Sequence, residues 1–121
     1  MTQESMPWYA IHTKPRRELM VASLLAEYAQ VNIFLPEVLY HRRHVMQKLP
    51  LFPGYLFACF DIETGISARI SHTPGVIGLI GSNHQPIPVA NETIVHLKHK
   101  VAEVNERGGL PIHQLYMATL C

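Results

Sequence analysis

Apolar and polar positions along the chain alternate, cluster and repeat in ways that predict strands and helices in turn. Trp8–Thr13 starts with aromatic and β-branched residues and predicts a strand. Pro15 suits the first turn of a following helix, with Thr13 or Lys14 as its cap, although Arg16 stands where a capping box would want glutamate. Over residues 15–30, Val21, Leu24, Leu25 and Tyr28 recur at helical spacing, while Arg16, Arg17, Glu18 and Glu27 fall on other faces. Residues 31–40 predict a second strand, which Pro36 assigns to a sheet edge or a bulge. Residues 41–49 are polar and basic and predict a hairpin or loop, and residues 52–60 predict the strongest strand of the chain. Residues 61–72 predict a short helix with Ile66 and Ile70 one turn apart. The Pro74-Gly75 turn leads into a strand over 76–80, and 85–89 predict a short strand weakened by Pro86 and Pro88. Asn91 is expected to cap a long helix with the stripe Ile94, Leu97, Val101 and Val104, which Gly108-Gly109 ends.

The resulting order, β-α-β-β-α-β-(β)-α, predicts an α+β fold of the ferredoxin or RRM-like split βαβ kind. Its sheet is mostly antiparallel, with helices packed against one face. A length of 121 residues suggests one domain. The expected divisions are an N-terminal tail at 1–6, the domain at 7–108 and a linker-like tail at 109–121 with no clear element. Apolar residues at 48% and charged residues at 16% exclude a disordered chain. A net charge of +1 makes any nucleic-acid contact a matter of a local patch. The two cysteines, Cys59 and Cys121, form no patterned framework, and the polar N-terminus has no signal-peptide core. With no run long enough for a membrane span, a cytoplasmic location without membrane contact is expected.

The segment 51–61 carries the functional argument. Tyr55, Phe57 and Cys59 share one face of the strand, and Leu56, Ala58 and Phe60 share the other. Both faces are apolar. In a two-layer fold one of them meets the helices, so the other is open, covered by a further element, or used for binding. Aromatic residues beside a proline suit protein contact. The competing bland reading is a central strand buried on both sides. A second functional reading is an RRM-like single-stranded RNA-binding module. Gly54, Tyr55, Phe57 and Phe60 match the RNA-recognition signature, but Pro53 replaces its cation, Leu56 its small residue, and the companion motif on the first strand is not evident.

With these residues stated, the chain resembles the N-terminal domain of the NusG family. Trp8-Tyr9-Ala10-Ile11 is similar to the family's first strand, and Phe52-Pro53-Gly54-Tyr55-Leu56-Phe57 to its hallmark strand entry. Thr73-Pro74-Gly75-Val76-Ile77-Gly78-Leu79-Ile80-Gly81 and Pro86-Ile87-Pro88 before a capped helix follow in the family's order. The resemblance runs from Trp8 to Leu97. It implies a transcription elongation or antitermination factor, not an enzyme, that binds bacterial RNA polymerase and suppresses pausing or termination. It implies an apolar patch of His12, Phe52, Pro53, Tyr55 and Phe57 against the clamp helices of the β′ subunit, and a span toward the β subunit. Specialised paralogues of the RfaH kind also contact the β gate loop and the non-template DNA strand. The gate-loop position here is Ile66, Ser67 and Ala68, without the polar His-Thr-Thr of that pattern, and the DNA-facing positions are Lys14, Arg16, Arg17 and Thr73. Cations at a helix N-terminus oppose the helix dipole, which favours a functional reason for them over a merely solvated face. Residues 49–57 look like the specialised paralogues, whereas Thr73-Pro74-Gly75-Val76 looks like general NusG. The family's KOW-type β-barrel is not represented in this sequence, and a monomer is expected.

Other chemistry finds little support. His41 and His44, and His96 and His99, are pairs without further ligands and are read as solvated histidines, so no metal is expected. Cys59 sits mid-strand with no local base, and no catalytic residue or cofactor is assigned. Gly75, Gly78 and Gly81 flank and interrupt a strand and do not open a phosphate-binding helix. Asp61 and Glu63 read as a helix N-terminus, not an acid–base pair.

Overall fold

The structure is a computed structural model and describes residues 6–111. The tail at 1–5, residues 112–121 and Cys121 lie outside the described residues. Strand β1 (Trp8–Thr13) forms where the sequence predicts it and is the axis of the fold. It pairs antiparallel with β5 (Tyr55–Cys59), and along its other edge first with β6 (Val76–Leu79) and then with β7 (Pro88–Val89). Strand β2 (Asn32–Phe34) closes the far edge, giving the order β2-β5-β1-β6. The register sets Ile11 opposite Leu56 and His12 opposite Tyr55, so alternation divides two apolar sets between two faces.

On the first face, Tyr9, Ile11, Leu56 and Ala58 pack against Val21 and Leu25 of the first helical segment and Ile70 of the second. The first, α1 (Glu18–Leu24), continues into a π-helical turn over Leu25–Ala29. It starts later than predicted. Residues 14–17 form a reverse turn, in which the Arg17 amide donates to the Lys14 carbonyl at 3.1 Å and Arg16 adopts φ 64°. Pro15 therefore lies in that turn, and neither Thr13 nor Lys14 caps the helix; its N-cap is Arg17, with no side-chain bond. The wide π turn also carries Tyr28 off the buried stripe, leaving it 72% exposed. Helix α2 (Ile66–Ser71) is preceded by a 3₁₀ turn, Ile62–Thr64, where the Asp61 carboxylate accepts from the Glu63 amide at 3.0 Å. That agrees with reading Asp61 as a helix-start residue.

The second face departs from expectation. The helices do not share one side: α3 (Asn91–Glu106) lies across the other, setting Ile94 and Leu97 against Trp8, Phe57 and Cys59. Large apolar side chains on both faces of β5 leave too much surface for one layer of helices to cover. Asn91 is the first residue of α3 and not its cap, which is Ala90.

The predicted strand over 31–40 is two strands in two sheets. Pro36 has no amide to continue a ladder, and its carbonyl instead accepts from the Leu51 amide at 2.8 Å. Beyond it, β3 (Glu37–Arg42) pairs with β4 (Val45–Pro50) in a hairpin closed by Arg43 and His44, both at positive φ as a two-residue loop requires. The segment after Gly109, read as having no element, begins with β8 (Leu110–Pro111), which pairs parallel to β3. Asn105 ties α3 to this sheet: its Oδ1 accepts from the Leu39 amide at 2.9 Å and its Nδ2 donates to the Glu37 carbonyl at 3.2 Å.

Tyr40 in β3 is fully buried, and its hydroxyl has no hydrogen-bond partner among the described residues. Burial pushes its pKa above the ordinary 10.0. The unfolded chain thus ionises first, and the contribution of neutral Tyr40 is complete below about pH 10 and lost as pH rises further. Tyr40→Phe is expected to be neutral or stabilising by about 1 kcal/mol and to blunt the loss of thermal stability above pH 10, as read by melting curves across pH. A destabilised Tyr40→Phe would show that the hydroxyl has a partner.

Candidate functional site

Strand β5 starts at Tyr55, three residues later than its apolar run. Phe52, Pro53 and Gly54 form a turn in which the Tyr55 amide donates to the Phe52 carbonyl at 3.0 Å and Gly54 takes φ 85°. Two bonds fix this turn to the body: the Thr13 amide donates to the Gly54 carbonyl at 2.8 Å, and the Gly54 amide donates to Glu18 Oε2 at 2.8 Å. Glu18 is therefore buried, at 6% exposure, where the helical spacing had it facing away from the core.

The fixed turn orders an aromatic cluster on the α3 face of the sheet. His12 and Tyr55, cross-strand neighbours, stack with ring centroids 4.8 Å apart and planes 10° apart. Phe57 has Phe34 on one side at 6.0 Å and Phe52 edge-on at 6.4 Å. Helix α3 covers the Trp8 and Cys59 end of this face, and His12, Phe34, Phe52 and Tyr55 remain half-buried beyond it. Pro53 is exposed. Phe57 is only 9% exposed, so at this residue the doubly buried reading of the strand holds, and at Tyr55 it does not. Lys98 of α3 stands at the rim, its Nζ 4.9 Å from the Trp8 ring and 5.4 Å from that of Phe34. Burial pushes the Cys59 thiol up, which Lys98 partly offsets, and Cys59 Sγ donates to the Met6 carbonyl at 3.3 Å. That keeps a thiolate scarce at neutral pH.

The other sequence-predicted residues lie elsewhere. Ile66, Ser67 and Ala68 form the first turn of α2, in the layer on the opposite side of the sheet, with Ile66 packed against the core and Ala68 exposed. Lys14 and Thr73 come from distant segments that meet, since the Lys14 amide donates to the Gly75 carbonyl at 2.8 Å. A Cβ added at Gly75 would lie 3.4 Å from Arg17 Cβ, so Lys14, Arg17 and Thr73 share one end of the domain. Thr73 is half-buried and its hydroxyl donates to the Arg69 carbonyl at 2.8 Å. Arg16 lines a pocket with Glu18. Among the described residues, no three His, Cys, Asp or Glu side chains converge to hold a metal ion. His41, His44, His96 and His99 are all exposed. No helix of the described residues is long and apolar enough to cross a membrane.

Phe34, Glu18 and Lys98 were missed from sequence. Phe34 had a signal, an aromatic residue in a predicted strand, but its register against Phe57 depends on the break at Pro36. Glu18 and Lys98 carry ordinary surface chemistry and are placed only by packing.

A family model described as transcription termination factor nusG matches residues 6–98. The chain belongs to the NusG family. Its relatives include the Helicobacter pylori (strain J99) protein named transcription termination/antitermination protein NusG, 28% identical over 109 residues, covering 79% of this chain and 62% of that one. The Thermus thermophilus protein of the same name is 29% identical over 112 residues, covering 77% of this chain and 60% of its own. The chain thus spans about three fifths of the length of these NusG relatives. A solved structure described as "Domain interaction in Thermotoga maritima NusG" superposes with a TM-score of 0.56 at 23% identity, covering 75% of this chain and 54% of that one, and agrees with the α+β fold. The NusG match includes every candidate residue from His12 to Thr73 and ends inside α3, before Asn105 and β8.

Proposed function

We propose that this NusG-family domain is a non-enzymatic transcription elongation or antitermination factor that binds bacterial RNA polymerase through the open end of its aromatic sheet face. The observation that supports this most is the half-buried cluster of His12, Phe52 and Tyr55 beyond the cover of α3, held by a turn pinned from two sides. Rigid, pre-ordered aromatic rings add buried area to an interface at low entropy cost. The proposed contact is the β′ clamp helices, with Pro53 at its edge. Ile66, Ser67 and Ala68, on the opposite layer, would face the β subunit and its gate loop. Lys14, Arg17 and Thr73, with Arg16 nearby, would meet the non-template strand. Residues 7–108 would act as one domain, as a monomer in the cytoplasm, to reduce pausing or termination.

The RNA-binding reading draws less support from the site. Phe60, one of its matched aromatics, faces the core and packs 4.5 Å from Tyr9, and Lys98 is the one cation stacked on the cluster among the described residues. Tyr55→Ala is expected to weaken binding to bacterial core RNA polymerase by about 1–3 kcal/mol, roughly five- to 150-fold, with little change in thermal midpoint. A wild-type chain that is folded and leaves cognate polymerase unbound, yet binds single-stranded RNA, would replace this reading with the other.

A further inference from the structure

Beside the aromatic cluster lies a pocket of about 390 Å³, with apolar walls from Pro15, Leu49, Pro50 and Pro53. Glu18 also lines it. This carboxylate is 6% exposed, and one of its oxygens accepts from the Gly54 amide. The other oxygen has no hydrogen-bond partner among the described residues, and no cation lies within ion-pairing distance; the ion pair among those residues is Arg107 with Glu103. Among the described residues the Tyr40 hydroxyl is the buried side-chain polar atom without a partner, so the second Glu18 oxygen is open to water at the pocket and available to a donor seated there. A charge-assisted donor brought to the remaining oxygen is the strongest complement. Arg16 lines the same pocket, is exposed, and does not pair with Glu18. The walls specify the rest of the guest. Lysine and arginine bury an aliphatic stem while carrying a cationic head, which fits apolar sides ending at a carboxylate.

We propose that this pocket seats one basic side chain, lysine or arginine, of the protein that covers the aromatic cluster, with Glu18 receiving its head group. The identity of that protein rests on the polymerase-docking reading; the chemistry of the seat rests on the pocket itself. His12 and Pro53 border the pocket and also belong to the docking set, so the seat is continuous with that face. It would add a charge-specific anchor at the edge of an otherwise apolar contact, and so fix the orientation in which the partner lands.

A latch role for Glu18, holding Gly54 and nothing more, requires its hydrogen bond but not its charge. Glu18→Gln separates the two, because the amide oxygen still accepts from Gly54. The test is an amide-proton NMR titration of the chain with butylguanidinium and with butylurea, which has nearly the same shape without the charge. Butylguanidinium is expected to shift the Gly54 and Thr13 amides saturably, butylurea to bind about tenfold more weakly, and Glu18→Gln to lose the preference for the cation. Arg16→Gly removes the neighbouring charge and suits the left-handed backbone; it is expected to tighten butylguanidinium about threefold, an independent readout should Glu18→Gln fail to fold. Equal binding of the two probes, or no shift with either, overturns the proposal. Core RNA polymerase is titrated separately with the same proteins. A chain that binds the cation but not polymerase leaves the seat standing and removes the docking reading. A Glu18→Gln that binds polymerase as tightly as wild type overturns the seat as part of that contact.

Discussion

Phe57→Ala is expected to destabilise the domain by about 3–5 kcal/mol, and so to weaken partner binding by loosening the fold that presents the surface. The resemblance to the family groups Phe57 with the docking residues, but its side chain is 9% exposed and clusters with Trp8, Cys59 and Ile94. Phe34 and Phe52 pack on its ring, so truncation opens a void between β5 and α3 that the flanking strands are poorly placed to fill. Urea unfolding should show the midpoint falling with little change of slope. Tyr55→Ala, at the open end of the same strand, should leave the midpoint nearly unmoved. The pair separates a residue that builds the surface from one that presents it. Wild-type stability in Phe57→Ala would mean that α3 does not close this face.

The second large effect is expected at Gly109, where alanine should cost about 3 kcal/mol or more from backbone strain and overlap together. Gly109 adopts φ 92°, and an added Cβ would overlap the Leu39 carbonyl oxygen and lie 2.7 Å from Leu39 Cβ. The neighbouring contacts are rigid. The Gly109 amide donates to the Val104 carbonyl at 2.9 Å, and the Leu39 amide is already held by Asn105. Relief would require the end of α3 to lift from β3, taking β8 with it. Faster amide exchange at Leu39, together with a lowered melting temperature, is the expected signature. Gly108→Ala is the control: its φ of 94° is equally left-handed, but nothing lies within 4 Å of the added carbon, so only about 1 kcal/mol is expected. Equal costs at the two glycines would show that the close approach to Leu39 is absent.

Both predictions depend on packing that was only partly readable beforehand. The strand at Trp8–Thr13 and the long C-terminal helix were legible because each rests on a local period sustained over several residues. The β3–β4 hairpin was legible as a basic connection, but not as a second sheet. The break at Pro36 and the strand β8, only two residues long, gain their meaning from partners far along the chain. The start of α1 was misread because a helix-compatible proline at position 15 is equally compatible with the reverse turn that precedes the helix.

The candidate site divides in the same way. The sequence alone determined that β5 carries aromatics on one face and a proline–glycine turn at its entry, because side-chain alternation in a strand has no other period. It also determined the family, since the order and spacing of several short motifs are properties of the chain itself. Only the tertiary structure decided which of those aromatics are surface and which are core. That depends on where α3 stops, and a helix of given length can lie on either face of a sheet without any change in its own periodicity. Only the tertiary structure, too, turned Glu18 from a surface carboxylate into a buried one. Burial is set by the neighbours that close over a residue, here Gly54 from a turn 36 positions away, and no local pattern encodes them.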